Sequence, residues 1–125
     1  MTTHYHVIFD VDNDALPIGM HALNFRYAVQ FNKRHRMKGH VLGARYDSVR
    51  IEDDSHLLRA YRYMMRNPVE SGICPTAEAW KWSSFAAAVG DADPIGFVDP
   101  STVLSSFDAP REIAAARLRA FVAEP

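Results

Sequence analysis

Two histidines near the start of the chain, His4 and His6, are the first side chains whose types and spacing could perform chemistry. They lie in residues 3–11, a run that Val, Ile, Phe and Tyr dominate, and this run predicts a β-strand. Side chains at i and i+2 of a strand project from the same face, so the two imidazoles would stand side by side. Two neighbouring imidazoles can form half of a divalent-metal site. The alternative is that the two histidines are unrelated.

A tyrosine and an asparagine on a predicted helix form the second candidate group. Residues 53–55 (Asp-Asp-Ser) are typical of a helix start, and the helix is predicted from residue 55 to about residue 66. Pro68 is predicted to end it, because the residue before a proline avoids the α conformation. Tyr63 and Asn67 are four residues apart, so they would share one face of the helix.

The same helix carries a second tyrosine, for which the pattern favours a different role. Tyr61 lies on the apolar side of the helix and is interpreted as a core residue. Tyr63 stands between Arg62 and Arg66 on the more polar side, where its hydroxyl could reach a ligand. Of the two phenols, Tyr63 is therefore the candidate for chemistry.

The net charge of −1 conceals an uneven distribution of charge along the chain. Residues 1–25 hold three acids and no Lys or Arg, residues 26–66 hold ten bases and four acids, and residues 67–125 hold four bases and eight acids. A clustered basic stretch is typical of a protein that binds a polyanion. The alternative is a solvated helix face whose counter-charges lie elsewhere in the fold.

Much of this basic stretch belongs to a helix predicted from about Pro17 to Arg36, with Gly39 as its C-cap. The polar face of the helix could lie along a phosphate backbone. The apolar residues recur at helical spacing and are interpreted as core packing: Leu16, Met20, Leu23, Tyr27 and Phe31.

The remaining segments complete the predicted architecture. Residues 40–52 predict a second strand with a bulge at Gly43. After a compact segment rich in aromatic residues and an acidic loop, residues 101–107 predict a short helix and residues 110–123 a final helix. We interpret residues 73–125 as a helical appendix that packs on the rest of the chain.

Bulk composition sets wider limits on the protein. A chain of 125 residues can form one domain with a modest core, and its single cysteine, Cys74, cannot form an internal disulfide. The sequence has no signal-peptide pattern and no apolar run long enough to span a membrane. These features predict a cytoplasmic protein that has no membrane partner.

Several short motifs, taken in order, resemble the REP-associated tyrosine transposases, which belong to the single-tyrosine HUH transposases. The resemblance covers essentially the whole chain, and its ordered set of motifs is specific although each motif alone is weak. The matching pieces are Met1-Thr2-Thr3-His4-Tyr5-His6, Leu23-Asn24-Phe25-Arg26-Tyr27, Phe31-Asn32-Lys33-Arg34-His35, Gly39-His40-Val41-Leu42, Arg45-Tyr46, Asp54 with Leu57-Leu58, Arg62-Tyr63 with Asn67-Pro68-Val69, Trp82-Ser83-Ser84-Phe85, and the segment Arg119-Ala120-Phe121-Val122-Ala123-Glu124.

The resemblance implies a mechanism. His4, His6 and Asn67 would hold a divalent ion, Mg²⁺ or Mn²⁺, that polarises a scissile phosphate. Tyr63 would be the nucleophile, giving a 5′-phosphotyrosine and a free 3′-OH. The substrate would be single-stranded DNA next to a hairpin. The candidates for contacts with the DNA backbone are Arg26, Lys33, Arg34, Arg45, Arg50 and Arg66.

The fold that the resemblance implies is α+β: a partial ferredoxin-like antiparallel sheet with packed helices and a C-terminal helical appendix. Residues 1–72 would form the catalytic region and residues 73–125 the appendix. In the family, a strand, a helix and the beginning of the next strand precede the H-x-H motif, so this chain is expected to lack that front part. A misassigned start codon, a remnant gene, or a homodimer in which a second copy fills the gap would each account for it.

Three functions therefore stand as alternatives. The first is a DNA nickase and strand transferase that uses Tyr63. The second is a catalytically inactive remnant that binds DNA or has a regulatory role. The third is a small protein that binds Zn²⁺ through His4, His6 and His40, with no role on DNA.

Overall fold

The computed structural model describes residues 3–12, 14–93 and 95–124, and within them the chain is built from α-helices. Met1 and Thr2 of the family resemblance and Asn13 of the predicted helix start lie outside the described residues. The helices are, in chain order, α1 (Ala15–His35), α2 (Asp54–Glu70), α3 (Phe85–Ala88), α4 (Ser101–Ser105) and α5 (Arg111–Ala123).

The predicted sheet is wrong, since the described residues contain no β-strand. Residues 3–11 and 40–52, both predicted as strands, run without ladder hydrogen bonds, and the second segment contains several bends. Backbone hydrogen bonds recorded outside the helices join residues at most five positions apart, such as Met37 N–H to the Asn32 carbonyl at 2.9 Å. Apolar alternation gives a segment the capacity to pair, but a strand also needs a neighbour, and a pair of strands alone is marginal. The ferredoxin-like fold is therefore not supported.

Helix α1 forms where its periodicity predicts, but it ends earlier than Gly39. Arg36 adopts the left-handed conformation with φ 53°, and its N–H bonds back to the Asn32 carbonyl. Lys33, Arg34 and His35 occupy the last turn, where positive charge interacts favourably with the helix dipole.

The predicted core stripe of α1 is mostly open. Of the five apolar residues assigned to it, Met20 alone is buried, while Leu23 and Tyr27 are exposed. The periodicity predicts the helix correctly because it reports which side chains share a face. It does not report whether another element covers that face.

Helix α2 begins as predicted and continues past its proline. The Asp53 carboxylate caps it by accepting a hydrogen bond from the His56 N–H at 2.7 Å. Pro68 lies inside the helix and is buried, so the predicted end at residue 66 is wrong. The helix ends just beyond it, where the Ser71 N–H bonds to the Asn67 carbonyl and the Ile73 N–H to the Pro68 carbonyl.

The chain divides into two compact units. The first comprises Met1–Val7 and Ile51–Pro125, and the second comprises Ile8–Arg50. The first unit thus contains both histidines of the H-x-H motif and all of α2. The predicted boundary between residues 72 and 73 falls inside this unit, where α2 packs against α4 and α5. The assignment of 1–72 as a catalytic region stays a prediction.

The core of the first unit joins α2 to the C-terminal helices. Phe85 at the start of α3 and Leu118 in the middle of α5 are fully buried. The C-terminal helices occur close to their predicted bounds, and the buried face of α5 consists of Ala114, Leu118 and Val122. The other buried residues are Leu57, Tyr61, Met65, Ala77, Ala88, Val89, Val103 and Leu104.

Within the described residues, no helix is both long and apolar enough to cross a membrane.

The Leu118→Ala substitution should test the packing of α5. It removes a fully buried side chain and should lower the free energy of unfolding by about 2–5 kcal/mol. Ile113→Ala on the same helix is the matched control, because Ile113 is 49% exposed, and it should cost less than about 1 kcal/mol. Urea unfolding followed by circular dichroism measures both, and equal losses would contradict the packing described.

Candidate active site

The packing of α2 determines which of its side chains face outward. Successive residues turn by about 100° around a helix. Tyr61 and Met65 are buried on the core side, so Tyr63 and Asn67 lie on nearly the opposite side. Tyr63 is 58% exposed. The helix thereby presents a phenol and an amide, one turn apart, on its outer face.

His6 contacts both of these side chains. Its ring lies 5.6 Å from the Tyr63 ring between centroids, in an edge-on arrangement with an interplanar angle of 76°. Its Nε2 atom is 3.4 Å from Nδ2 of Asn67. The His4 ring is 5.0 Å from the His6 ring at 88°. The four predicted residues of the catalytic and metal site therefore form one cluster, here called the histidine–tyrosine cluster.

The histidines remain adjacent although the strand that was predicted to align them does not form. Residues 3–7 have no regular secondary structure, and they belong to the same unit as α2. The edge-on contacts of His6 with the rings of His4 and Tyr63 hold the cluster together, a geometry that aromatic rings favour. The cluster thus depends on side-chain contacts with α2 rather than on a sheet.

The electrostatics of the cluster favour a neutral His6. Partial burial of the ring lowers its pKa, and the charge of His4 lowers that pKa further. A neutral imidazole retains a ring-nitrogen lone pair, which a metal ion requires. The Thr3 hydroxyl lies 3.0 Å from Nδ1 of His4 and can fix the orientation of that ring.

The cluster offers two imidazole nitrogens and one amide group as potential metal ligands. Rotation of the Asn67 amide by half a turn would present Oδ1, an oxygen ligand, toward His6. Within the described ranges, no group of three or more His, Cys, Asp or Glu side chains comes together. Imidazole nitrogens suit transition metals such as Zn²⁺ and Fe²⁺, whereas Mg²⁺ and Mn²⁺ prefer oxygen ligands, of which this cluster would offer the Asn67 amide oxygen. Mg²⁺ or Mn²⁺ as the cofactor stays a prediction.

The two tyrosines of α2 occupy contrasting environments. Tyr61 is 8% exposed, and burial raises the pKa of its phenol from 10.0 to about 12, a shift that a hydrogen bond with Ser84 partly offsets. Its ring lies 6.5 Å from that of Phe85 in the core. Tyr61 therefore has no access to a substrate, whereas the Tyr63 side chain is 58% exposed.

Arg66, whose contact with DNA stays a prediction, is bonded to the end of α5. Its Nη1 donates to the carbonyls of Val122, at 3.3 Å, and Glu124, and its Nε pairs with Glu70 at 2.9 Å. Arg62 also donates to the Glu124 carbonyl, at 2.6 Å. The last carbonyls of a helix have no partner within the helix, so these guanidinium groups cap α5.

The other predicted DNA contacts lie in the second unit. Arg26, Lys33 and Arg34 are exposed on α1, while Arg45 and Arg50 are exposed in the segment that follows it. We interpreted Tyr27 and Phe31 from the sequence as core residues, and this interpretation missed a column of rings on α1 that is open to solvent. The spacing of four between Tyr27, Phe31 and His35 was the signal, but periodicity alone cannot tell a packed face from an open one.

Comparison of this chain with protein-family models, curated proteins and solved structures gave no match. The resemblance to REP-associated tyrosine transposases thus stays a prediction that depends on the residues quoted for it.

The Tyr61 phenol predicts a specific loss of stability at high pH. Its pKa is raised in the folded protein, so its contribution is complete below pH 10.0 and is lost as the pH rises toward about 12. The free energy of unfolding should fall by roughly 2–3 kcal/mol over that interval because of this group. Tyr61→Phe should remove that part of the pH dependence, and Tyr63→Phe should retain it. Urea unfolding at several alkaline pH values measures the slopes, and identical slopes in the two variants would contradict the assignment.

The cap on α5 predicts an effect of Arg66→Ala on stability. Loss of the guanidinium should lower the free energy of unfolding by about 1–3 kcal/mol, because charged hydrogen bonds to the helix end disappear. Amide hydrogen exchange in the last turn of α5 should speed up. Arg59→Ala is the control, since Arg59 bonds to Ser55 within α2. Equal exchange rates in the two variants would show that Arg66 does not hold α5.

Proposed function

We propose that this protein cleaves and rejoins single-stranded DNA in a divalent-metal-dependent reaction with Tyr63 as the nucleophile, as single-tyrosine HUH transposases do. One observation carries the proposal: His6 contacts both Tyr63 and Asn67, although His6 and Asn67 are 61 positions apart in the chain. These are the residue types that the chemistry requires, and the sequence motifs alone predict them as a site.

The reaction is a transesterification at phosphorus. The Tyr63 Oη–P bond forms as the P–O3′ bond breaks, which leaves the DNA with a 5′-phosphotyrosine and a free 3′-OH. The phenol loses its proton to water, which the exposed Tyr63 side chain contacts, and the leaving 3′ oxygen takes up a proton. Because no water attacks the phosphorus, the phosphodiester energy is conserved, and a 3′-OH can reverse the step and join another end.

The cation would be held by His4, His6 and Asn67. When bound there, it would neutralise charge on the scissile phosphate in the transition state. The chain's own contribution is to keep His6 neutral and in contact with Tyr63, so that a phosphate held at the imidazoles is near the phenol. Thr3 supports this by its hydrogen bond with His4.

A second candidate function is DNA binding without cleavage, as expected of an inactive remnant. It is favoured by the charge of residues 15–46, which contain six Lys or Arg and no Asp or Glu. Such a segment attracts a polyanion without any contribution from Tyr63. The two functions differ in whether a covalent bond to DNA forms.

The Tyr63→Phe substitution separates these functions. We expect the wild-type protein, incubated with hairpin-bearing single-stranded DNA and Mn²⁺, to form a covalent adduct that survives denaturation. Tyr63→Phe should abolish the adduct because Phe lacks the attacking oxygen. Tyr61→Phe is the matched control on the same helix and should retain the adduct, since the Tyr61 hydroxyl is buried. Denaturing gel electrophoresis of end-labelled DNA measures the product.

Two further experiments test the role of the metal ion and of the histidines that would hold it. Chelation of the metal and His6→Ala should each reduce adduct formation by at least about 100-fold, the range expected when an essential charge-stabilising group is removed. An adduct that survives in Tyr63→Phe would overturn the assignment of the nucleophile. Salt-sensitive DNA binding with no adduct in the wild-type protein would favour the remnant instead.

A further inference from the structure

Helix α1 carries a column of three aromatic rings along one face. Tyr27, Phe31 and His35 follow one another at intervals of four residues, so they lie one above another. Ring centroids are 5.9 Å apart between Tyr27 and Phe31 and 4.3 Å apart between Phe31 and His35, each pair tilted by 36°. The column is continuous over the last two turns of the helix.

The column borders a depression on the helix surface. Gln30 and Arg34 join the three aromatic residues around this depression, which has a volume of about 360 Å³. Tyr27 is 52% exposed, and Gln30, Arg34 and His35 are also exposed. We call this set of five residues the aromatic–basic stripe. It combines flat π surfaces with an amide and a guanidinium, each of which can donate hydrogen bonds.

The stretch of sequence that contains the stripe carries only positively charged side chains among its Lys, Arg, Asp and Glu positions. No Asp or Glu occurs between residues 15 and 46, while Arg26 and Lys33 flank the stripe on one side of α1. The ion pairs recorded among the described residues involve Arg66 and Arg119, both of the first unit. The cations of α1 therefore have no carboxylate neighbours in sequence, which suits a ligand that brings its own negative charge.

The Met20 side chain shows that the same face of α1 can be covered. Met20 is buried, and it lies about two turns before Tyr27 on that face. Beyond Met20 this face is mostly open, because Leu23 and Tyr27 are exposed and Phe31 is half-buried. Packing of another element against this part of the face would bury the Arg34 guanidinium, and burial of an unpaired charge is costly.

We propose that the aromatic–basic stripe of α1 binds single-stranded DNA, with bases stacked on Tyr27 and Phe31 and a phosphate held by Arg34. The choice of DNA as the occupant rests on the proposed function. The arguments from stacking and from charge are independent of the proposed function, because any base presents a π face to an aromatic ring and any phosphate attracts a guanidinium. Duplex DNA should bind less well, since its bases are already stacked on one another.

Binding of a fluorescent oligothymidylate, followed by anisotropy, tests the stripe directly. The measurements use Tyr63→Phe protein with chelator, so neither cleavage nor a metal contributes, and failure of the catalytic proposal would not affect the result. We expect Tyr27→Ala and Phe31→Ala each to weaken binding by about 5- to 100-fold, the loss typical of one stacked base. Arg34→Gln should reduce the slope of the logarithm of affinity against the logarithm of salt concentration by about the amount expected for one phosphate contact.

Matched variants separate stacking from simple apolar contact. Tyr27→Phe keeps the π face and should bind like the parent protein. Tyr27→Leu keeps apolar area but has no π face, so it should lose affinity as Tyr27→Ala does. Phe25→Ala is the control for an exposed aromatic residue on the opposite face of α1, and it should leave binding unchanged. Far-ultraviolet circular dichroism checks that each variant retains its helices.

Four results would overturn the proposal. The first is equal binding by Tyr27→Leu and the parent protein, since stacking would then contribute nothing. The second is tighter binding of duplex than of single-stranded DNA. The third is a stronger effect of Phe25→Ala than of Phe31→Ala. The fourth is a dimer, seen by light scattering, that Tyr27→Ala dissociates while DNA affinity stays the same, because the stripe would then be an interface between two copies.

Discussion

Burial of one face of α2 is the constraint on which the candidate site depends. Tyr61 and Met65 pack into the core of the first unit with Phe85 and the residues of α5. Because a helix turns by about 100° per residue, burial of these two positions fixes Tyr63 and Asn67 on the outer side. Pro68 lies on the same buried side of the helix, so its ring adds apolar contact to this packing.

Environment assigns different roles to the two phenols of α2. Burial keeps Tyr61 protonated well beyond neutral pH, so its hydroxyl acts as a hydrogen-bonding group of the core. Tyr63 has the opposite surroundings: its ring meets His6 at the surface, and its hydroxyl is open to solvent. A nucleophile that attacks a phosphate must be accessible and close to positive charge. Of the two tyrosines, Tyr63 meets the first condition by its position, and a cation held by the adjacent imidazoles would meet the second.

The sequence predicted the helices and the members of the cluster, but it failed on the sheet. Helical periodicity and caps are local signals, so α1, α2, α4 and α5 could be placed to within a few residues. Residues 3–11 and 40–52 have strand-like composition, yet strand formation requires a partner that local sequence cannot supply. The proximity of His6 to Tyr63 followed from the family resemblance rather than from the spacing of residues. The open face of α1 was missed because periodicity reports which residues share a face and nothing about what covers it.

The residues of the proposed chemistry and those of the proposed nucleic-acid binding lie in different parts of this chain. The histidine–tyrosine cluster lies in the first unit, where the acidic and basic groups nearest α5 are already bonded to each other or to helix ends. The uncompensated basic charge lies in the second unit, on α1 and the segment after it. Electrostatic affinity for a polyanion falls steeply with salt, whereas a covalent step at Tyr63 depends on contacts within a few ångströms. Loss of one property would therefore leave the other intact, and a protein of this design could keep DNA binding after its catalytic geometry is lost.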